Sequence, residues 1–295
     1  MRTKKNGIFR GKQRYQCNQC RIQFENQRRP IRTQIALWHE YVWGRQTVGD
    51  LALRHHKSRD WIRRQLDQAP ITKTSIPPQP VVVVADMTFC RRTFGVCVLR
   101  SPHLKKNLYW QASERESAAI YHECRRRLEQ KGFTITAAVI DGRRGLIEVF
   151  SDIPIQMCHF HQIRIVTRYL TSRPKLPAGQ ALRAITFTLT KTTEDQFARH
   201  LDLWHKEWGS FLKERTIDQE TKRWHYTHRR LRSAYRSLTT NLTFLFTYQR
   251  YPTLKIPNTT NSLDGTFSHV KSLLRIHRGL NQRRKMKLID EILSK

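Results

Sequence analysis

Two stretches of the 295-residue chain end a run of small apolar residues in an acid: Val81-Val82-Val83-Val84-Ala85-Asp86 and Thr134-Ile135-Thr136-Ala137-Ala138-Val139-Ile140-Asp141. Apolar, β-branched runs of this length read as buried strands, each delivering one carboxylate to its carboxyl end. Aspartate is also common at strand ends because it makes turns. Two such strands in one chain nevertheless bring two hard oxygen donors to one edge of a sheet, the set a divalent cation needs. A third acid, Asp264, follows Thr260-Asn261-Ser262-Leu263. Thr260, Asn261 or Ser262 would cap a helix with Leu263, Phe267, Val270 and Leu274 on one stripe. Asp264 would then sit in the first turn, where the helix dipole favours a carboxylate. Cys158-His159-Phe160-His161 lies 17 residues beyond Asp141 and adds a thiol and an imidazole at the end of a further strand.

The elements that must position these groups can be read in order. After the Val81 strand, Thr93–Leu99 and Lys106–Gln111 read as two more strands, meandering antiparallel from the first. Ser117 then caps a helix with Ile120, Cys124 and Leu128 at four-residue spacing and Gly132 at its end. The Asp141 strand, a short helix from Leu146 to Phe150 and a strand from Ile153 to Cys158 follow. The order is strand, strand, strand, helix, strand, helix, strand, with the first and fourth strands ending in Asp. That is the order of a ribonuclease-H-like α/β fold, in which those two strands lie side by side.

From 162 to about 255 the pattern turns helical. Thr193 opens a helix with Phe197, Leu201, Trp204, Trp208 and Phe211 on one stripe, and Leu231, Tyr235, Leu238, Leu242 and Leu245 form another. The polar faces, notably Lys222 to Arg230, are basic enough to track a phosphate backbone.

Lys and Arg number 55 against 23 Asp and Glu, a formal net charge of +32. Such a surplus points to a polyanion as partner, nucleic acid ahead of a membrane surface. A structural RNA binder fits less well, because buried strands ending in Asp would repel phosphate unless a metal intervened. No apolar run of spanning length and no secretory leader is evident, so a soluble, intracellular protein is expected. Six cysteines are too few for a disulfide scaffold and fit a reducing compartment.

Upstream, residues 1–30 form a basic segment carrying Cys17-x-x-Cys20. It looks like part of a zinc ribbon, with the other two ligands of a tetrahedral Zn²⁺ expected upstream of Met1. Residues 31–69 fit a helix-turn-helix. Thr47 caps one short helix through Arg54 and Ser58 a second through Leu66, with Val48, Leu51, Ala52, Trp61, Ile62 and Leu66 at core spacing. Arg59, Arg63 and Arg64 of the second helix are the candidate DNA contacts. Four prolines within residues 70–80 mark a stiff linker, and residues 81–295 follow as the main domain, with a helical insertion at about 170–255.

Taken together, Asp86, Asp141, Cys158-x-x-His161 and Thr260-Asn261-x-x-Asp264 resemble the Mutator-type DDE transposases of bacterial insertion sequences, over roughly residues 10–290. In that family a basic DNA-binding region precedes a ribonuclease-H-like core with an all-helical insertion before the helix of the third acid. The resemblance implies an enzyme that nicks DNA at the terminal inverted repeats of its element. It would then join the 3′-hydroxyl to target DNA, with Asp86, Asp141 and Asp264 holding two Mg²⁺ or Mn²⁺ ions. It also implies a homodimer acting in the bacterial cytoplasm at the nucleoid. The family's usual third acid is Glu. Asp264 is one methylene shorter and reaches about 1.5 Å less, so its helix must stand closer to the ions. The rival expectations are a decayed remnant that only binds DNA, and a ribonuclease-H-like nuclease that cuts without joining.

Overall fold

The computed structural model describes residues 3–25, 30–71, 75–92 and 94–295. Thr93, residues 26–29 of the ribbon-like segment and 72–74 of the proline-rich stretch lie outside the described residues. Contacts divide the chain into two units, 73–272 with 289–295, and 1–72 with 273–288. The second group attaches a C-terminal segment to the N-terminal region, a grouping that sequence order alone does not suggest.

The N-terminal part of the smaller unit is a three-stranded antiparallel sheet of β1 (Thr3–Phe9), β2 (Lys12–Cys17) and β3 (Gln23–Glu25). Three helices follow: α1 (Pro30–Val42), α2 (Val48–Arg54) and α3 (Arg59–Gln68). Thr47 and Asp50 close a reciprocal capping box at the start of α2, and Ser58 Oγ accepts from the Trp61 amide to start α3. Leu51, Ile62 and Leu66 are buried as their spacing predicts, whereas Val48, Ala52 and Trp61 are half-buried. The missing apolar contacts come from α1, whose Leu37, Trp38, Tyr41 and Val42 are buried. Arg59, Arg63 and Arg64 are exposed on α3.

In the larger unit, Val81 to Ala85 lie in the middle strand of a five-stranded sheet and are all buried. A strand covered on both faces needs no polar alternation, which is why the run is uniformly apolar. This strand, β4 (Pro80–Arg91), pairs antiparallel with β5 (Phe94–Ser101), which pairs with β6 (Lys106–Ser113). After α4 (Ala118–Gln130), β7 (Thr134–Ile140) runs parallel to β4. Beyond α5 (Arg144–Val149), β8 (Ile155–Met157) runs parallel to β7. The sheet order is β6-β5-β4-β7-β8, so the strands of the two aspartates are neighbours. Asp86 does not end its strand as expected but lies inside β4, which goes on pairing with β5 as far as Arg91, whereas Asp141 directly follows β7. Tyr121, Cys124 and Leu128 of α4 pack with Val83, Leu99, Ile140 and Phe150 in the core on one side of the sheet. The last strand is shorter than expected from Ile153–Cys158, because Cys158 already belongs to the next helix start.

A second core joins α6 (His159–Leu170), α7 (Pro177–Phe187), α8 (Glu194–Trp208) and α9 (Arg229–Leu245), with Leu182, Phe197, Leu201, Trp204, Leu231 and Leu238 at its centre. Thr193 caps α8 through a box with Gln196. The insertion is not all-helical. Asp218 Oδ1 accepts from the Glu220 and Thr221 amides, Lys222 takes a positive φ, and the chain turns into a hairpin of β9 (Arg215–Ile217) and β10 (Trp224–Tyr226). The stretch from Lys222 to Tyr226 is therefore a turn and strand, with Arg215 over Trp224 and Arg232 over Tyr226. After α10 (Thr247–Arg250) come α11 (Asn261–Ile276) and α12 (Gln282–Leu293). The end of α12 covers the sheet edge, where Trp110 Nε1 donates to Asp290 and Asn107 Nδ2 to the Leu293 carbonyl. Among the described residues no helix is long and apolar enough to cross a membrane.

Candidate active site

The two strand aspartates meet through a register detail. The β4–β7 ladder begins with Pro80 opposite Thr134 and Val81 opposite Ile135, slips by one residue so that Val82 faces Ala137, and ends with Val84 opposite Val139. Two residues further along each strand stand Asp86 and Asp141. Without the slip at Thr136 Asp86 would face Ile140, and the acid would be one residue out of register, pointing to the other face. With it, the two carboxylates project from neighbouring parallel strands, whose axes lie about 4.8 Å apart.

Their surroundings differ. Asp86 is half-buried, and its Oδ1 accepts from the Met87 amide at 2.8 Å. Burial pushes its pKa up to about 6; His161 and the Met87 amide pull it down, and the nearby charges of Asp141 and Glu116 add to the rise. Asp141 is answered by a guanidinium. Arg143 Nε lies 2.7 Å from Asp141 Oδ2, its own amide donates to Oδ1 at 3.0 Å, and its Nη1 lies 2.8 Å from Glu116 Oε2. Gly142 makes this return possible. Its φ is +79°, and a Cβ there would stand 2.4 Å from Met157 Sδ. Glu116 also accepts from the Tyr121 hydroxyl at 2.9 Å. Neither Glu116 nor Arg143 was found from the sequence. A Glu before a helix N-cap and an Arg after a glycine carry no local pattern, and only the fold brings them to the acids.

The Cys158-x-x-His161 and Thr260-Asn261 motifs are in contact. The Cys158 amide donates to the Ile140 carbonyl at 2.8 Å, fixing the start of α6 beside the end of β7. The Thr260 amide donates to Cys158 Sγ at 3.3 Å and the Thr260 hydroxyl lies 3.4 Å from the same sulfur, both in a fully buried setting. Thr260 thus spends its hydroxyl on the cysteine. The His159 amide donates to the Asn258 carbonyl and its ring Nε2 to the Leu245 carbonyl. Burial opposes a charge on His161, but Cys158 and the carboxylates of Asp86 and Asp141 outweigh it and raise its pKa above the usual imidazole value. Burial likewise opposes the Cys158 thiolate, yet His161 and Thr260 hold that thiol below its usual value.

Asp86, Asp141 and Asp264 line one cavity of about 1030 Å³. Its walls are two helix faces. From α6 come Phe160, Arg164 and Arg168 at four-residue steps, with His161 beside them, and from α11 come Asp264, Phe267, Ser268 and Lys271, spaced to share one face. Asp264 is exposed in the first turn of α11. Leu263 and Val270 are buried on the other stripe and Phe267 at the border between the two, with Leu273 buried in place of the expected Leu274. Among the described residues no three acids, histidines or cysteines stand close enough to close round one ion. The arrangement offers acids on the sheet edge and cations on the helical walls, a setting suited to a phosphate ester.

In the N-terminal sheet, Cys17 is buried at the end of β2 and Cys20 is exposed in the following turn. The amides of Cys20 and Gln19 hold the Cys17 thiol below its usual value. Two thiols are half of a tetrahedral zinc set, and the described residues bring no further ligand to them.

No protein-family model matches the sequence, and no curated protein is similar to it. Among solved structures the chain is similar to a chain of the Drosophila P element transposase strand transfer complex. The identity is 12% and the TM-score 0.30, over 88% of this chain and 76% of that one.

Proposed function

We propose that the protein is a DDE-type transposase of the Mutator kind, built on a ribonuclease-H-like core, that nicks DNA at its element's ends and joins the 3′-hydroxyl to target DNA. The observation that carries this reading is the single cavity lined by Asp86, Asp141 and Asp264, three acids from three separate elements, with Arg164, Arg168 and Lys271 on its walls. The sheet order, three antiparallel strands followed by two parallel ones, supports the core assignment.

The donor chemistry fits Mg²⁺ or Mn²⁺, because carboxylate oxygens are the ligands these ions take and the buried charge of Asp86 lacks a full counterion. Two such ions, held by Asp86, Asp141 and Asp264 once α11 brings Asp264 in towards the strand acids, would supply activation of the attacking oxygen and stabilisation of the leaving one. The chain's own part is positioning. Arg164, Arg168 and Lys271 hold the phosphates flanking the scissile bond, and His161 adds a donor next to the acids. The Cys158–Thr260 contact ties the start of α11, and so Asp264, to the end of β8. Arg59, Arg63 and Arg64 of α3 hold the terminal repeat, in a homodimer that pairs two ends. Cys17 and Cys20 would be two of four ligands to a structural zinc.

A second reading, a remnant that binds DNA without cutting it, is favoured by one contact: Arg143 already neutralises both Asp141 and Glu116. A duplex carrying the element's end, incubated with protein and Mg²⁺ or Mn²⁺, separates the possibilities. Nicks leaving 3′-hydroxyls that become joined to a second duplex support the transposase. Nicks without joining mean a nuclease, and binding without nicks means the remnant.

A further inference from the structure

We propose that the C-terminal segment 277–287 and helix α3 together form a seat for a DNA backbone phosphate, at a cavity within the smaller unit. The inference rests on the reading of α3 as a DNA-contacting helix and extends that surface to residues far away in sequence.

The segment is firmly held. Arg284 pairs with both carboxylate oxygens of Asp67, at 2.7 and 2.6 Å. Lys287 Nζ donates to the Asp67 carbonyl at 2.8 Å, and the His277 ring stacks on Tyr41 with centroids 3.9 Å apart. Between the segment and the helices lies a cavity of about 480 Å³, lined by Trp38, His277, Arg59, Arg63 and Arg278 among others.

Two features of this cavity call for a polar, negatively charged occupant. Trp38 is 6% exposed and His277 5%, yet Trp38 Nε1 makes no hydrogen bond, and the His277 ring reaches only the Tyr41 backbone, outside normal geometry. A buried donor left unpaired costs about 1–3 kcal/mol, so the Trp38 indole implies a missing acceptor in this space. The second feature is charge. Arg59 and Arg278 are exposed and form no ion pair among the described residues, while the one acid lining the cavity, Asp67, is engaged by Arg284. An oxyanion accepts from the indole and both guanidiniums at once. A phosphodiester is the oxyanion at hand, because α3 lines the cavity with Arg59 and Arg63 and carries Arg64, also exposed, on a chain of net charge +32.

The test uses the full-length protein and a 30-base-pair duplex, with affinity measured from 50 to 200 mM salt. Arg278→Gln is expected to lower the slope of log affinity against log salt by about 0.9, the loss of one phosphate contact. Its deficit against wild type then shrinks about threefold across that range, with the melting temperature unchanged. Trp38→Phe, which keeps an aromatic side chain and removes the donor with its pyrrole ring, is expected to weaken binding in the same direction. Arg199→Gln, an exposed charge on α8, should leave the slope within error. An unchanged slope in Arg278→Gln, with a reduced one in Arg63→Gln, overturns the seat while leaving α3 as the DNA contact. Unchanged slopes in both overturn the seat and the α3 reading together. Inorganic phosphate is the second probe. If it binds the wild type and not Arg278→Gln, while the duplex binds both alike, the cavity takes free phosphate and the DNA assignment falls.

Discussion

Replacing Asp86 by Asn should make the metal-free protein more stable at neutral pH while disabling it. The carboxyl has a pKa of about 6 in the fold against about 3.9 in an unfolded chain. A raised acid stabilises the fold through its neutral form. That contribution is complete below about pH 4 and is lost as pH climbs through 6. Two pKa units at about 1.36 kcal/mol each put the deficit near 3 kcal/mol at pH 7.5. Asn cannot ionise, and its side-chain oxygen can still accept from the Met87 amide, so the variant escapes the deficit. Urea unfolding of wild type and Asp86→Asn in chelator, at intervals from pH 4 to 8, reads the difference. The expected result is a gap of about 3 kcal/mol at pH 7.5 that closes towards pH 4. Added Mn²⁺ should then narrow the gap from the wild-type side, because it binds only where the carboxylate is present. Equal stabilities at pH 7.5, or a gap independent of pH, would refute the claim that burial holds this acid in an unfavourable charge state.

Two further substitutions probe the scaffold. Gly142→Ala forces an L-residue to positive φ and drives a Cβ into Met157; it should cost about 2–4 kcal/mol in urea unfolding and reduce nicking with it. Thr260→Val removes the hydroxyl that faces Cys158 Sγ and should cost about 1 kcal/mol; a loss of nicking larger than any loss of duplex affinity in a gel-shift assay would mark it as a positioning residue.

The two aspartates were legible because each ends an apolar run too uniform for anything but a covered strand. Their meeting was not, since it depends on one extra residue at Thr136 that shifts the β4–β7 register, and a ladder slip leaves no mark in hydrophobic pattern. Thr47, Ser58 and Thr193 were legible as caps because a cap is a local hydrogen bond. Lys222 to Tyr226 misled as a helical face because its turn rests on one residue, Asp218, accepting two amides. Glu116 and Arg143 reach the acids only through the tertiary fold. So does the packing of 273–288 with the N-terminal helices, which joins segments more than 200 residues apart.

The central claim is that Asp86, Asp141 and Asp264 act as one phosphoryl-transfer centre, and single-turnover nicking tests it most directly. A labelled duplex carrying the element's end would be incubated in Mn²⁺ with the wild type, Asp86→Asn, Asp141→Asn or Asp264→Asn, and duplex affinity measured alongside. The account predicts that each variant binds as the wild type does and nicks at least about a hundredfold more slowly. A variant that nicks at the wild-type rate would remove its aspartate from the centre, and a wild type that binds without nicking would contradict the claim outright.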